Sequence, residues 1–190
     1  DAKRNILRYQ TDSDFAVINR DYIATNESDV HTSGKVFFVT GERTTTEQGA
    51  FIKDNAIWIS MQGAEWKIVD TEQIALVGKH NWENAMAAAM AATLSGAAKA
   101  DIVHVLKTFK GLPHRLELVK EVNGARYYDD SFSTTPEAAI AAIKAFHEPE
   151  ILILGGSSKG SDFTELGRVV SEAKNIKVII GIGDEWEEIK

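Results

Sequence analysis

The sequence predicts an α/β fold in two domains that meet at residues 111–113. Short β-prone runs, separated by polar or glycine-containing breaks, occupy residues 35–76. An alanine-rich, helix-favouring segment follows at residues 81–94. From residue 115 onward, predicted strands and helices alternate, which is typical of a parallel sheet covered by helices. The Gly-Leu-Pro break at 111–113 separates the two patterns and marks the predicted domain boundary.

Composition narrows the class of protein. The chain has 190 residues, 44% of them hydrophobic and 26% charged, which is the mixture of an ordinary folded protein. The net charge of -7 argues against nucleic acids and anionic membranes as general partners. The absence of cysteine excludes disulfides, thiolate zinc sites and cysteine nucleophiles. No apolar run approaches the roughly 20 residues of a bilayer span. We expect a cytoplasmic monomer with no membrane or nucleic-acid partner.

The first half is predicted to begin with helix and then continue mainly as strands. A helix is expected at residues 2–8 and a buried strand at residues 14–19. Further strands, expected to form a meander of hairpins, are at 36–39, 50–53, 56–60, 65–69 and 73–76. Because the chain starts within a helix and residues 184–190 begin another, we expect it to be cut at both ends.

Two helices are predicted to follow these strands. The first, at 81–94, is expected to stop at Gly96, and the second to span residues 100–109. Alanines at three- and four-residue spacing predict the close-packing face of the first helix, namely Ala85, Ala88, Ala89 and Ala92.

The second half is predicted to form strands and helices in alternation. Strands are expected at 115–122, 125–129, 151–154 and 178–182, and helices at 136–146 and 163–173. The Asn123-Gly124 pair between the first two strands is the strongest hairpin-turn signal in the chain.

The predicted start of the helix at 81–94 carries a candidate adenine-binding pair. Asn81 and Asn84 are three residues apart and so are neighbours on one helix surface. A side-chain amide donates and accepts hydrogen bonds at once, which suits the edge of an adenine base. The alternative is that Asn81 caps the helix and the first turn is simply polar.

Arg115 follows the rigid Gly-Leu-Pro turn and is a candidate anion-binding residue. A guanidinium placed there can meet phosphate oxygens with two hydrogen bonds. The alternatives are a solvated arginine at a domain linker and a neighbouring His114 that packs or caps.

Residues 128–136 are a third candidate segment, because they leave a strand and enter a helix. Ligands bind at this point in open α/β sheets. Asp130 could accept hydrogen bonds from ribose hydroxyls. Hydroxyl side chains that could face phosphate or carboxylate are Ser131, Ser133 and Thr134. The alternative is that Thr134 or Thr135 merely caps the helix ahead of its proline.

The loop at 155–163 follows the next strand and carries Lys159. Its order is Lys-Gly, whereas a phosphate-binding P-loop requires Gly-Lys followed by Ser or Thr, so it is not a P-loop. Lys159 could still hold an anionic group. We expect this loop and the segment at 128–136 to open at the same edge of one sheet.

Four motifs in this order resemble the Mur ligase family, namely Gly78-Lys-His-Asn-Trp-Glu-Asn84, Phe109-Lys-Gly-Leu-Pro-His-Arg-Leu-Glu117, Asp129-Asp-Ser-Phe-Ser-Thr-Thr135 and Gly155-Gly-Ser-Ser-Lys-Gly-Ser-Asp-Phe163. The resemblance covers essentially the whole chain and looks most like the D-glutamate-adding branch. It implies that residues 1–110 are the C-terminal part of the central ATPase domain. Residues 111–190 would then be the first part of a Rossmann-like C-terminal domain.

The resemblance also implies a reaction and its participants. The family reaction uses ATP and Mg2+ to phosphorylate the carboxylate of UDP-N-acetylmuramoyl-L-alanine, and the amine of D-glutamate then attacks the acyl phosphate. By motif position, the nucleotide-contacting residues would be Asn81, Asn84, Arg115 and Asp130. The residues near D-glutamate and phosphate would be Ser131, Thr134 and Lys159. Lys159 and Arg115 would serve catalysis, and Lys3 would match the family lysine that is carbamylated and binds magnesium.

The chain departs from the family pattern in two respects. Phe132 occupies a position where many relatives have lysine, so one cationic contact is absent or supplied elsewhere. The chain also contains no P-loop, so we expect no ligase turnover by it alone. The alternatives are another Mur or folylpolyglutamate synthetase-like ligase, or a non-catalytic nucleotide-binding module. A dehydrogenase-like dinucleotide binder is disfavoured because no Gly-x-Gly-x-x-Gly follows a strand.

Overall fold

A computed structural model describes residues 4–41, 48–157 and 160–189. The chain forms two compact units, residues 1–109 and 110–190. Each unit has its own hydrophobic core. The predicted mixture of sheets and helices is confirmed. Within the described residues, no helix combines the length and apolar character that crossing a membrane demands.

A five-stranded mixed sheet organises the first unit. Its strands, in spatial order, are β1 Phe15–Asn19, β2 Lys35–Thr40, β3 Gly49–Lys53, β4 Ala56–Met61 and β5 Ala64–Asp70. β1, β2 and β3 pair in parallel, and β3, β4 and β5 pair antiparallel. The predicted meander of hairpins is therefore wrong for β2 and β3, which pair in parallel, and is confirmed for β3, β4 and β5. Parallel pairing depends on crossover connections, which periodicity within a single run does not reveal.

Short helical segments connect and flank these strands. They are α1 Asn5–Arg8, α2 Ile23–Asn26 and two 3-10 turns at Asp29–His31 and Thr71–Gln73. The predicted strand at 73–76 is wrong, because the chain leaves the sheet in the second of these turns. Ile74 is nevertheless buried in the core of this unit. Its apolar character therefore reflects burial without strand pairing.

Two hairpin turns hold the antiparallel part of the sheet. Asp54 and Asn55 connect β3 to β4 with φ of 50° and 54°. Gln62 and Gly63 connect β4 to β5 with φ of 53° and 81°. Two consecutive positive φ values match the right-handed twist of the flanking strands. Asp, Asn and Gly tolerate this backbone conformation better than most residues, so the local sequence favours these turns.

Helix α3, Lys79–Leu94, packs on this sheet, and α4, Lys99–Thr108, packs beside it. The most buried residues of α3 are Ala85, Met86, Ala89 and Met90. The predicted face was wrong at Ala88, which is exposed, and Ala92 is only partly buried. The buried stripe is rotated because the two methionines supply the volume that fills the core. The alanines between them allow close approach to the strands.

The predicted stop at Gly96 is confirmed. Gly96 has φ of 84°, the left-handed conformation that glycine adopts at low cost. The backbone N–H of Ala97 donates to the carbonyl of Ala92 at 3.0 Å. This six-residue closure is typical of a helix end with glycine just beyond it.

The second unit contains two separate pairs of strands. β6 Glu117–Val122 and β7 Ala125–Asp129 form an antiparallel hairpin, and β8 Glu150–Gly155 and β9 Ile176–Ile182 form a parallel pair. Its helices are α5 Pro136–Ile143, α6 Thr164–Glu172 and α7 Trp186–Ile189. The predicted turn at Asn123-Gly124 is confirmed, with φ of 51° and 81°. The expectation that the loops after β7 and β8 share one sheet is wrong, because these strands belong to different sheets.

The parallel β8–β9 pair has two unlike faces. Leu152 on one face packs against the small core formed by Ile143, Leu166 and Val169. The other face is exposed and carries five branched apolar side chains, Ile151, Ile153, Val178, Ile180 and Ile182. Apolar residues on both faces are typical of a parallel strand in an α/β protein. The exposed face is therefore an apolar surface of this unit.

Substituting neighbouring alanines of α3 tests which face is buried. We expect Ala89→Leu to lower the free energy of unfolding by about 1–3 kcal/mol, because Ala89 is only 1% exposed and the larger side chain must displace core atoms. We expect the exposed control, Ala88→Leu, to change it by less than about 0.5 kcal/mol. Urea denaturation followed by circular dichroism measures both. Equal losses in the two variants would contradict this packing.

Candidate functional site

The asparagine pair lies at the start of α3 in the first unit. The side-chain N–H of Asn84 donates to the side-chain oxygen of Asn81 at 3.2 Å, and that of Asn81 donates to the carbonyl of Val77 at 2.6 Å. Gly78 is the N-cap residue, so the alternative that Asn81 caps the helix is wrong. An amide has two donors and one acceptor, and the pairing uses one donor of Asn84. Asn84 is exposed and retains the hydrogen-bonding capacity that an adenine edge requires.

A polar network at the carboxyl ends of β1 and β2 adjoins this helix. Glu83 accepts hydrogen bonds from Asn19 at 2.9 Å and from the Tyr22 hydroxyl at 3.3 Å. Asp21 accepts from the Thr40 hydroxyl and from the Gly41 backbone, each at 2.6 Å. Sequence reasoning missed these residues. For Asp21, Tyr22 and Thr40, the available signal was their position shortly after a predicted strand, where ligand-binding residues of parallel sheets lie.

Burial and this network also change the pKa of Tyr22. Burial raises the pKa of its hydroxyl, and the hydrogen bond to Glu83 and the nearby negative charges raise it further. The hydroxyl therefore stays protonated and acts as a donor to the Glu83 carboxylate.

In the second unit, two segments that are predicted to contact nucleotide are joined by hydrogen bonds. The backbone N–H of Leu116 donates to a carboxylate oxygen of Asp130 at 2.9 Å, and the N–H of Phe132 donates to the carbonyl of His114 at 3.0 Å. The other carboxylate oxygen of Asp130 accepts from the Ser133 hydroxyl. These contacts place Arg115 and Asp130 on two directly bonded segments. Each oxygen of a carboxylate can accept two hydrogen bonds, so Asp130 retains acceptor capacity for ribose hydroxyls.

Arg115 is exposed and has a constrained backbone on both sides. His114 and Leu116 have φ of 63° and 44°, a region that residues other than glycine adopt infrequently. The guanidinium carbon of Arg115 lies 5.6 Å from the ring centroid of Phe132. Such positions persist only where surrounding contacts hold them, and they cluster at functional sites.

A hydrogen-bonded histidine–carboxylate pair includes His114, the residue before Arg115. The imidazole Nδ1 of His114 is 2.8 Å from a carboxylate oxygen of Asp129. The hydrogen bond from His114 is the largest cause that lowers the pKa of Asp129, to about 2, and the same bond raises the pKa of His114. Glu117 accepts from the backbone N–H of His114 at 2.8 Å.

These three side chains offer donor atoms within 4.8 Å of one another, a spacing that could hold a cation. Their atoms already bond to each other or to the backbone, and Mg2+ prefers oxygen ligands over imidazole. We therefore interpret the group as a structural, hydrogen-bonded cluster. The predicted magnesium ligand, Lys3, lies outside the described residues.

The hydroxyl residues after Asp130 have different roles. Thr135 caps α5 by accepting from the backbone N–H of Ala138 at 3.4 Å, so the capping interpretation holds for Thr135 and not for Thr134. Thr134 and Ser131 are exposed, and the backbone N–H of Ser131 donates to Asp129 at 2.9 Å. Their side chains can therefore be reached by a ligand.

The predicted site residues thus fall into separate groups. Asn81 and Asn84 lie in the first unit, and Arg115, Asp130, Ser131 and Thr134 lie in the second. Lys159 lies outside the described residues, so its proposed contact with an anion stays a prediction.

The His114–Asp129 pair predicts a specific pH dependence. A raised histidine pKa stabilises the fold below about pH 6.5, and this contribution is lost as pH rises through the folded-state pKa. A lowered carboxyl pKa contributes above about pH 4 and is lost as pH falls towards about 2. NMR titration should show the His114 pKa falling in Asp129→Asn and staying unchanged in the control Asp162→Asn. An unaltered His114 titration in Asp129→Asn would contradict the pairing.

Both parts of the chain match domains of one protein family. Residues 1–92 match the Mur ligase middle domain, and residues 114–190 match the Mur ligase glutamate ligase domain. A UDP-N-acetylmuramoylalanine--D-glutamate ligase of Thermoanaerobacter sp. (strain X514) is 40% identical over 190 residues, which cover 100% of this chain and 41% of that protein. The ligase of the same name from Bacillus thuringiensis (strain Al Hakam) is 38% identical over 183 residues, covering 96% and 39%.

Solved structures show the same fold. MurF from Acinetobacter baumannii aligns with a TM-score of 0.74 at 19% identity, over 96% of this chain and 42% of that chain. The chain spans about 40% of the length of the curated relatives it matches. Since both domain matches belong to one family and the identity extends over the whole chain, the chain is a member of the Mur ligase family.

Proposed function

We propose that this chain is part of an ATP-dependent ligase that joins D-glutamate to UDP-N-acetylmuramoyl-L-alanine in peptidoglycan precursor synthesis. Relatives with 40% and 38% identity carry the name of this ligase. The observation that carries the proposal is the hydrogen bond that the backbone N–H of Leu116, next to Arg115, donates to Asp130. This bond holds the backbone next to Arg115 against the Asp130 carboxylate, so that one segment offers a cation for phosphate and the other an acceptor for ribose hydroxyls. We propose a cytoplasmic monomer as the parent enzyme.

The proposed roles follow the chemistry of each side chain. Asn81 and Asn84 would bind the adenine edge, because their amides donate and accept. Asp130 would accept hydrogen bonds from ribose hydroxyls. Arg115 would contact ATP phosphates, where its fixed charge offsets the negative charge of the transferring group. Residues 1–110 would belong to the central domain and residues 111–190 to the C-terminal domain of the enzyme.

In the proposed reaction, the terminal phosphoryl group of ATP moves to the carboxylate of UDP-N-acetylmuramoyl-L-alanine, and ADP leaves. The amine of D-glutamate then attacks the acyl carbon, an amide bond forms and phosphate leaves with the former acyl oxygen. Bound Mg2+ would supply charge neutralisation, with a carbamylated Lys3 as one proposed ligand. Ser131, Thr134 and Lys159 would hold D-glutamate and phosphate in line. Their contribution is alignment of two substrates, which can account for much of the acceleration of such a reaction.

Calorimetric titration of this chain with Mg-ADP and Mg-ATP tests the nucleotide half of the proposal. We expect weak binding that falls about tenfold in Asn84→Ala and in Asp130→Ala, since each change removes a hydrogen bond worth about 1–2 kcal/mol. Asp101→Ala, an acidic residue in the first turn of α4, is the control and should retain the affinity. Binding that is equally strong in all three variants would refute these assignments.

An amino-acid panel tests the acceptor. In a full-length ligase that contains this sequence, we expect phosphate release and amide product with D-glutamate, and at least tenfold less with L-glutamate, L-lysine, L-alanine or D-alanyl-D-alanine. The 190-residue chain alone should form no amide. Preference for another acceptor would instead indicate another Mur or folylpolyglutamate synthetase-like ligase. Nucleotide binding without phosphate release by the full-length protein would indicate a non-catalytic module.

A further inference from the structure

The side chain of Phe132 is 62% exposed and lies beside Arg115. Its ring centroid is 5.6 Å from the guanidinium carbon, within the range of a cation–π contact. A single exposed aromatic residue is common on protein surfaces and by itself indicates nothing. This ring, however, contacts the side chain that is proposed to bind phosphate.

The backbone holds both partners of this contact. The N–H of Phe132 donates to the carbonyl of His114, the residue before Arg115, at 3.0 Å. The N–H of Leu116, the residue after Arg115, donates to Asp130 at 2.9 Å. The backbone that carries Phe132 is therefore hydrogen-bonded to the backbone before Arg115, and Asp130 is hydrogen-bonded to the backbone after it. The freedom that remains lies mainly in the side chains of Phe132 and Arg115.

The kind of contact matters for what Arg115 can bind. Of the residues that the structure describes, none forms an ion pair with Arg115. A carboxylate partner would occupy its N–H donors and neutralise its charge, as Glu165 and Glu172 do for Arg168. An aromatic ring contacts the face of a guanidinium, whereas the N–H donors lie along its edge. The ring can therefore orient Arg115 and leave its donors and charge available.

We propose that Phe132 is a positioning residue that orients Arg115 for the phosphates of a nucleoside di- or triphosphate. This inference rests on the proposed nucleotide-binding function. Phe132 itself forms no hydrogen bond to the ligand through its ring. Its ring reduces the number of orientations that the Arg115 side chain samples before phosphate binds. Less conformational entropy is then lost on binding.

NMR of the 190-residue chain tests the contact without any ligand. Protons above an aromatic ring are shifted upfield, so the side-chain proton signals of Arg115 should be shifted in the native chain. We expect this shift to disappear in Phe132→Leu and to persist in Phe132→Tyr and Phe132→Trp. Tyr127→Leu, which removes another exposed aromatic side chain of the same unit, is the control and should leave the shift unchanged. An Arg115 signal that is the same in Phe132→Leu as in the native chain would overturn the proposal.

Mg-ATP affinity tests the consequence for binding. A cation–π contact at an exposed site corresponds to about a two- to fivefold change in affinity. We expect Phe132→Leu to weaken Mg-ATP binding by that factor. Phe132→Trp, which keeps an aromatic ring at this position, should retain the native affinity. In an Arg115→Ala background, Phe132→Leu should have no further effect, because the ring then has no guanidinium to orient. A merely structural role for Phe132 would weaken binding equally in both backgrounds and would overturn the proposal.

The outcomes separate this inference from the proposed function. If Arg115→Ala weakens binding and Phe132→Leu does not, the positioning role is wrong and nucleotide binding stands. If neither Arg115→Ala nor Asp130→Ala affects Mg-ATP affinity, or no binding occurs, the nucleotide assignment fails and the positioning role fails with it. The NMR result then still reports whether the ring contacts Arg115.

Discussion

Two adjacent carboxylates at the end of β7 hold the candidate site of the second unit together. Asp129 pairs with the imidazole of His114, and Asp130 accepts the backbone N–H of Leu116. The chain between these anchors adopts left-handed backbone conformations that it would otherwise leave readily. Arg115 lies between the anchors, so its location depends on two side chains at the end of β7, the second strand of the hairpin. The turn at Asn123-Gly124 sets the register that brings them there.

The sequence predicts features that depend on local chemistry. The Asn123-Gly124 turn and the stop at Gly96 need a backbone conformation that few residue types adopt, so the residues identify them. The pairing of Asn81 with Asn84 follows from helical spacing alone. The Asp130 segment was recognisable because it joins a strand to a helix. These predictions require only the neighbouring residues and the geometry of a single element.

Features that depend on distant parts of the chain were beyond sequence reasoning. The parallel pairing of β1 with β2 and of β2 with β3 depends on how the chain crosses between strands. The exposure of Ala88 depends on where the volume of Met86 fits in the core. The hydrogen bond of Asn19 to Glu83 joins residues 64 positions apart, and no pattern within either segment indicates it. A ring contact such as that of Phe132 with Arg115 likewise requires the two segments to be already joined.

The open face of β8 and β9 has a practical consequence for handling this chain. Its five isoleucine and valine side chains form a surface that loses contact with water when two copies meet, which favours association at about 25 cal/mol per Å2 buried. The net charge of -7 opposes such encounters. Dissolved salt screens that repulsion over a distance of about 10 Å at 0.1 M and leaves the apolar attraction intact. Solubility should therefore fall as ionic strength rises, and dilute, low-salt buffers favour separate copies of the chain.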